Sequence, residues 1–196
     1  MKGLSKKEME ILLLLLKDIA ASYNSSNMAK KIGITPAGAF KAMKKLEKAG
    51  LIAGKRMGKA IFYRIRLEDQ YALRTMEALL MQEARENALR WLEEFKELCQ
   101  HAEIVLLFGS AVRNPKNAND IDILVITEKG NAAIDNIIKE RKKIAIKPIH
   151  VIKSSLKELS KSIKEKNEAM LNIIRHCYVL HGYEKLLEVV KDVAGG

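Results

Sequence analysis

The chain has 196 residues, of which 48% are hydrophobic and 30% are charged, a composition typical of a soluble globular protein with one or two small domains. The longest apolar run near its start, Ile11 to Leu16, is too short to cross a bilayer, and no small-residue cleavage site follows. We therefore expect a cytoplasmic protein with no signal peptide and no membrane partner. Cys99 and Cys177 favour free thiols in a reducing compartment, with a bridge between them left open.

The net charge of +11 is concentrated at one end of the chain. Residues 1–67 hold 15 Lys and Arg against 4 Asp and Glu, whereas residues 68–196 hold 20 of each kind. A small basic domain favours a polyanionic partner, because clustered Lys and Arg create a positive potential that attracts phosphates. A protein that is basic only for solubility would spread this charge along the whole chain.

The first third of the sequence predicts three helices and a hairpin. Ser5 and Glu8 have the spacing of a capping box, Gly33 breaks the second helix, and Thr35 caps the third helix with Pro36 at its first position. The helices are expected over residues 6–21, 27–32 and 36–49, and the strands over 51–54 and 61–65. On the third helix, we expect the core to be contacted by Phe40, Met43 and Leu46.

This order of elements resembles the winged helix-turn-helix domain of MarR- and ArsR-type bacterial and archaeal regulators. The stretches Leu46-Glu-Lys-Ala-Gly50-Leu-Ile52 and Phe62-Tyr-Arg-Ile65 carry the resemblance, which covers residues 5–66. It implies that the third helix enters the major groove of double-stranded DNA while the hairpin contacts phosphates or the minor groove. The residues suited to these contacts are Thr35, Lys41, Lys44, Lys45, Lys55, Arg56 and Lys59. Winged helices also serve as protein–protein modules, which is the alternative interpretation.

Residues 67–100 contain no Pro or Gly and are rich in Glu, Ala, Leu and Arg. Apolar side chains recur every three or four positions, a pattern that predicts one long amphipathic helix with at most one break. We expect its N-terminal part to form the seam of a homodimer, since binding to palindromic DNA normally needs two copies. Packing within one chain is the alternative.

A strand is predicted over residues 104–108, where five consecutive apolar residues indicate burial on both faces. The strand ends at Gly109 and Ser110. Glycine allows backbone to approach an anion closely, and serine offers a hydroxyl and an N–H. These two residues therefore predict a turn that can hold phosphate.

A second strand, over residues 120–126, begins with alternating acidic and apolar residues. Because strand side chains point to opposite faces in turn, Asp120 and Asp122 share one face. Two carboxylates at the open end of a buried strand suit a hard dication. A phosphate-holding turn beside such a pair is the arrangement that phosphoryl or nucleotidyl transfer requires.

Gly109-Ser110, a nine-residue spacer and Asp120-x-Asp122 between two apolar strands resemble the signature of the DNA polymerase beta-type nucleotidyltransferase superfamily, and in particular its minimal members. The resemblance covers about the last half of the chain. It implies that the Gly-Ser turn binds ATP or another nucleoside triphosphate and that the Asp pair binds Mg2+. The alternative is a surface turn followed by a strand with two solvated acids.

In that family a third carboxylate, on a later strand, completes the metal site and activates the attacking hydroxyl. The later strand is expected here over residues 145–152, and His150 occupies the position of the third acid. Imidazole binds Mg2+ poorly, although it can accept a proton. We therefore expect nucleotide binding with degraded catalysis.

The remaining elements are predicted as helices over residues 131–142, 156–159, 161–174 and 183–193 and a strand over 178–181. The basic side chains at 141–143 and Lys147 are expected to be solvated. His176, Cys177 and His181 lack a fourth ligand nearby, so we do not expect them to bind zinc.

Together these patterns predict an α+β protein with three parts. A winged helix-turn-helix domain over 1–67 leads through a linker or dimerisation helix over 68–100 to a nucleotidyltransferase-like domain, with a mixed sheet and helices, over 101–196. Three functions stay open. The chain is a transcriptional regulator whose second domain binds nucleotide and Mg2+, an active nucleotidyltransferase acting on a protein or nucleic acid, or the antitoxin partner of a toxin.

Overall fold

The structure, a computed structural model, describes residues 3–128 and 131–194. The chain divides into two units, Met1–Leu79 and Leu80–Gly196. Helices occur with a mixed sheet, so the predicted α+β class is confirmed. Within the described residues no helix is both long and apolar enough to cross a membrane. Cys99 and Cys177 are both free thiols.

The first unit consists of three helices, an antiparallel hairpin and the start of a fourth helix. Its elements are α1 (Lys6–Lys17), α2 (Ser25–Ile32), α3 (Pro36–Lys48), β1 (Ile52–Met57), β2 (Ala60–Ile65) and α4 (Gln70–Asn87). Side chains from all three helices are at most 1% exposed and form its core, among them Ile11, Leu12, Met28, Met43 and Leu46.

Polar side chains cap the N-termini of the three helices of the first unit. Ser5 and Glu8 form the predicted capping box of α1. The Thr35 hydroxyl accepts a hydrogen bond from the Gly38 N–H at 3.1 Å, which opens α3. Asn24 caps α2, so this helix begins two residues before the predicted start, since an Asn side chain can accept from the first free N–H groups.

The first helix and the hairpin differ from the prediction at their ends. α1 ends at Lys17 and not near residue 21, because Asp18 turns inward and its carboxylate accepts a 2.5 Å hydrogen bond from the Tyr23 hydroxyl. Tyr23 in turn forms a β-bridge with Tyr63. β1 continues to Met57, paired with Ala60, so the hairpin turns over two residues and its basic tip belongs largely to the strands.

The second unit is a four-stranded sheet with helices. Its elements are α5 (Leu89–Glu94), α6 (Lys96–His101), β3 (Ile104–Phe108), α7 (Ser110–Arg113), a 3-10 turn (Pro115–Asn117), β4 (Ile121–Ile126), α8 (Ala132–Ile144), β5 (Ile149–Ser154), α9 (Leu156–Lys164), α10 (Glu168–Arg175), β6 (Tyr178–His181) and α11 (Tyr183–Ala194). The strand order is β5-β4-β3-β6. β4 and β5 are parallel, and β3 is antiparallel to both β4 and β6.

The prediction of one long helix with at most one break over residues 67–100 is wrong. The chain forms α4, α5 and α6, with breaks at Ala88 and Phe95. Both residues are only 2% exposed and belong to the core of the second unit. The breaks therefore fall at the residues that this core buries.

Two further boundaries are also wrong. β5 begins at Ile149 and not at residue 145, because α8 continues to Ile144. The first backbone hydrogen bond between β4 and the segment leading into β5 is donated by the Ile121 N–H to the Pro148 carbonyl. The predicted helices over 156–159 and 161–174 divide elsewhere. α9 runs to Lys164, and the next helix starts only where Asn167 accepts from the Met170 N–H.

Candidate functional site

The site predicted from the sequence lies at one edge of the sheet in the second unit. β3 ends where β4 and β5 begin, because β3 is antiparallel to β4 and β4 is parallel to β5. Phe108 pairs with Asp122, and Asp122 pairs with His150. The register alone therefore places Asp122 between the end of β3 and His150.

The backbone conformation at Gly109, which follows β3, is one that only glycine adopts readily. Its φ of 73° with ψ of −146° lies outside the regions open to L-residues. A Cβ added there would overlap the Asp122 carboxylate, with Oδ2 the nearest atom. The absence of a side chain thus lets Asp122 lie against the backbone of the turn.

Ser110 holds the other aspartate. Its hydroxyl donates to Asp120 Oδ1 at 2.6 Å, a distance typical of a charge-assisted hydrogen bond. The side chain of Asp120 is 36% exposed and that of Asp122 is 21% exposed. Asp120 is thus fixed by the turn, and both carboxylates remain partly accessible from solvent.

His150 completes a cluster with the two acids. Its Nδ1 lies 3.4 Å from Asp122 Oδ1 and 3.7 Å from Asp120 Oδ2, and its side chain is 61% exposed. One ligand atom from each residue lies within 4.8 Å of the others, a spacing that suits a shared metal ion, and no other such group of three His, Cys, Asp or Glu occurs among the described residues. Two carboxylate oxygens fit a divalent cation, and the third donor is a nitrogen.

Lys147 makes a contact next to the site that the sequence did not indicate. It was expected to be solvated, but its ammonium donates to the Ala118 carbonyl at 2.5 Å. This bond ties the loop before Asp120 to the segment before β5. The two residues are 29 positions apart, so no local pattern could have predicted the contact.

Of the seven residues predicted to contact DNA, Thr35 is the N-cap of α3, and the six cations on α3 and the hairpin of the first unit fall into two groups. Lys44 pairs with Glu47 and Lys45 with Glu8, each at 2.7 Å, so both charges are balanced within the protein. The hydrogen bond to Glu47 raises the pKa of Lys44. The remaining cations are exposed and have no ion pair among the described residues, namely Lys41, Lys55, Arg56 and Lys59.

Glu8, the partner of Lys45, is buried, with 4% of its surface exposed. Burial alone would raise its pKa, but hydrogen bonds from Lys45 and Ser5 outweigh burial, so the pKa of Glu8 lies below its usual 4.5. Lys45 therefore serves the packing of α1 against α3, whatever else it contacts.

Phe40 was expected in the core and is instead 47% exposed. The inward stripe of α3 is formed by Ala39, Met43 and Leu46, all at most 1% exposed, which turns the neighbouring Phe40 toward solvent. The Lys44 ammonium lies 6.0 Å from the centre of the Phe40 ring. The exposed face of α3 thus carries an aromatic side chain among its lysines.

The model of the nucleotidyltransferase domain family matches residues 90–174. This stretch contains the whole edge described above, from Gly109 to His150. The chain therefore contains a nucleotidyltransferase domain. Comparisons with curated proteins and with solved structures gave no match.

Proposed function

We propose that this protein is a DNA-binding transcriptional regulator whose nucleotidyltransferase domain binds a nucleoside triphosphate with a divalent cation and transfers nucleotide poorly. The observation that carries the nucleotide part is the meeting of Gly109, Ser110, Asp120 and Asp122 at one sheet edge. A bound triphosphate needs a close approach to backbone and hydrogen-bond donors, and its cation needs carboxylate oxygens. The carboxylate oxygens are present at this edge, and Ser110 with its hydroxyl and N–H lies beside them, which supports the proposal.

The residues that would hold the cation are Asp120 and Asp122, with His150 beside them. When bound, a divalent cation neutralises charge on the phosphate oxygens during transfer. The chain's own contribution is orientation. The Ser110 hydroxyl fixes Asp120, and the missing side chain at Gly109 lets Asp122 lie against the turn.

We expect poor transfer because the third residue of the cluster is His150 and not a carboxylate. A carboxylate there would add a negative charge to the cation site and would accept the proton of an attacking hydroxyl. His150 in its neutral form supplies no negative charge, and its side chain is largely in water. Binding, which depends on the turn and the Asp pair, is therefore retained better than turnover.

The DNA part of the proposal is supported by the first unit. Its helices and basic hairpin have the order expected of a winged helix-turn-helix, and four exposed cations lie on α3 and the hairpin. Cations without an internal partner can each neutralise a phosphate. Binding as a homodimer through α4 belongs to the same proposal.

Calorimetric titration of ATP with Mg2+ into the full chain tests the nucleotide part. We expect saturable binding that is lost in an Asp120→Ala, Asp122→Ala double variant. The matched control removes Glu188 and Asp192, two exposed carboxylates one helical turn apart on α11, and should bind as the wild type does. Binding that survives the first double variant, or no binding by the wild type, would contradict the proposal.

Active transfer is a second candidate function, favoured by the intact Gly-Ser turn and Asp pair. An acceptor hydroxyl oxygen would form a bond to the α-phosphorus, the bond to pyrophosphate would break, and the hydroxyl proton would pass to His150 or water. An acceptor on a partner toxin would make the chain an antitoxin. Incubation with nucleotide labelled at the α-phosphate and with candidate proteins or nucleic acids tests this, and equal labelling by the Asp120→Ala, Asp122→Ala variant would rule it out.

A further inference from the structure

Each aspartate of the cluster has one oxygen next to the Gly-Ser turn and the other near His150. Asp120 Oδ1 accepts from Ser110, while Oδ2 lies 3.7 Å from the imidazole Nδ1. Asp122 Oδ2 lies against Gly109, while Oδ1 is 3.4 Å from the same nitrogen. The free carboxylate oxygens and the imidazole nitrogen therefore face one common point.

The position of His150 is fixed by the sheet. It pairs directly with Asp122 across the parallel strands β4 and β5, so its backbone cannot shift away without breaking the ladder. The set of donors at the common point is thus two oxygens and one nitrogen, and no rearrangement of strands is needed to form it.

This set of donors suits a different class of ion from a site with three carboxylates. Mg2+ is a hard cation that prefers oxygen ligands in an octahedron, and it gains little from imidazole. Exchange of a carboxylate for neutral imidazole also lowers the negative charge of the site, which weakens attraction for any dication. First-row transition dications recover this loss, because they form strong bonds to imidazole nitrogen.

We propose that Asp120, Asp122 and His150 form a site that prefers first-row transition dications, such as Mn2+, Co2+ or Zn2+, over Mg2+. The inference rests on the proposed function for the presence of a cation site and adds which ions it selects. His150 is thus a metal ligand that sets selectivity, in addition to any role in moving a proton.

The test is direct binding of Co2+ and Mg2+ to metal-free protein without nucleotide, by calorimetry and by the visible absorption bands of Co2+. We expect Co2+ to bind the wild type about tenfold or more tightly than Mg2+. His150→Asp should remove most of this preference and change the Co2+ bands, since a nitrogen ligand is replaced by oxygen. His150→Gln should weaken Co2+ without strengthening Mg2+.

The control His101→Gln removes an exposed imidazole elsewhere in the second unit and should leave both affinities unchanged. Equal Co2+ preference in wild type and His150→Asp, with identical Co2+ spectra, would overturn the inference. This outcome is separable from failure of the proposed function. A chain that binds ATP with Mg2+ but shows no Co2+ preference that depends on His150 loses only the inference, and one that binds Co2+ through His150 but no nucleotide loses only the proposed function.

Discussion

Asp122 and His150 occupy opposite positions on the parallel strands β4 and β5, with Asp122 Oδ1 3.4 Å from His150 Nδ1. Asp122 is also paired with Phe108 across the antiparallel strands, so one residue joins the turn after β3 to the imidazole on β5. This connection sets the geometry of the candidate cation site.

Gly109→Ala tests how much the close approach of Asp122 to the turn matters. The new Cβ would meet the carboxylate, and alanine disfavours the backbone conformation with φ of 73° and ψ of −146°. We expect destabilisation of about 2 kcal/mol or more in denaturant unfolding and loss of nucleotide binding. Gly33→Ala is the control, since Gly33 has a φ of 68° but open space around it and should cost about 1 kcal/mol. Equal costs for the two variants, with nucleotide binding intact, would contradict this account.

Removal of the exposed cations should weaken DNA binding more than removal of the paired ones. A variant with Lys41→Ala and Arg56→Ala should lose affinity for duplex DNA, and the salt dependence should become shallower by about one unit for each lost phosphate contact. Fluorescence anisotropy with a labelled duplex at several salt concentrations measures both.

The control for that experiment is the variant with Lys44→Ala and Lys45→Ala, which also removes two positive charges from the first unit. These lysines already pair with Glu47 and Glu8, so we expect a smaller change in the salt slope. The same loss in both variants would show that net charge alone matters and that the surface is not organised for DNA.

Acid should destabilise the first unit through Glu8. The pKa of Glu8 is lowered in the folded state, because its hydrogen bonds with Lys45 and Ser5 outweigh burial. Its contribution to stability is therefore complete above the unfolded value of about 4.5 and is lost as pH falls through the folded pKa. Urea unfolding across this range should show a pH dependence that Glu8→Gln reduces, at a cost of about 1 kcal/mol at neutral pH. An unchanged pH dependence in Glu8→Gln would be inconsistent with this role.

Cys99 should react slowly with alkylating reagents in the native protein. Burial raises the pKa of its thiol to about 11, so little thiolate is present at neutral pH. With Cys177 replaced by Ala, we expect alkylation at pH 8 to be at least about tenfold slower than in the same protein unfolded in urea. Comparable rates in the two states would indicate that Cys99 is exposed in solution.

The convergence of the four residues of the Gly-Ser turn and the Asp pair was largely predictable, because it depends on local spacing in the sequence. The spacing of Gly109, Ser110, Asp120 and Asp122 and the alternation of strand side chains place all four at one edge. The resemblance places His150 on the strand after α8, and His150 lies on that strand although the strand begins four residues later than predicted.

Other features could not be predicted because tertiary packing decides them. The apolar period continues through Ala88 and Phe95, so only the core that buries them reveals the helix breaks. The sequence predicts Phe40 in the core together with Met43 and Leu46, whereas Ala39 lies on the inward stripe of α3 in its place. The ion pair between Glu8 and Lys45 joins residues 37 positions apart, so the sequence did not reveal that Lys45, predicted to contact DNA, pairs with Glu8 inside the protein.

A crystal of the full chain soaked with a non-hydrolysable ATP analogue and Mn2+ tests the central claim most directly. We predict triphosphate density against Gly109 and Ser110, and an anomalous peak for Mn2+ between Asp120, Asp122 and the His150 nitrogen. A nucleotide bound elsewhere, or Mn2+ with no contact to either aspartate, would contradict the claim that these residues form one nucleotide and cation site.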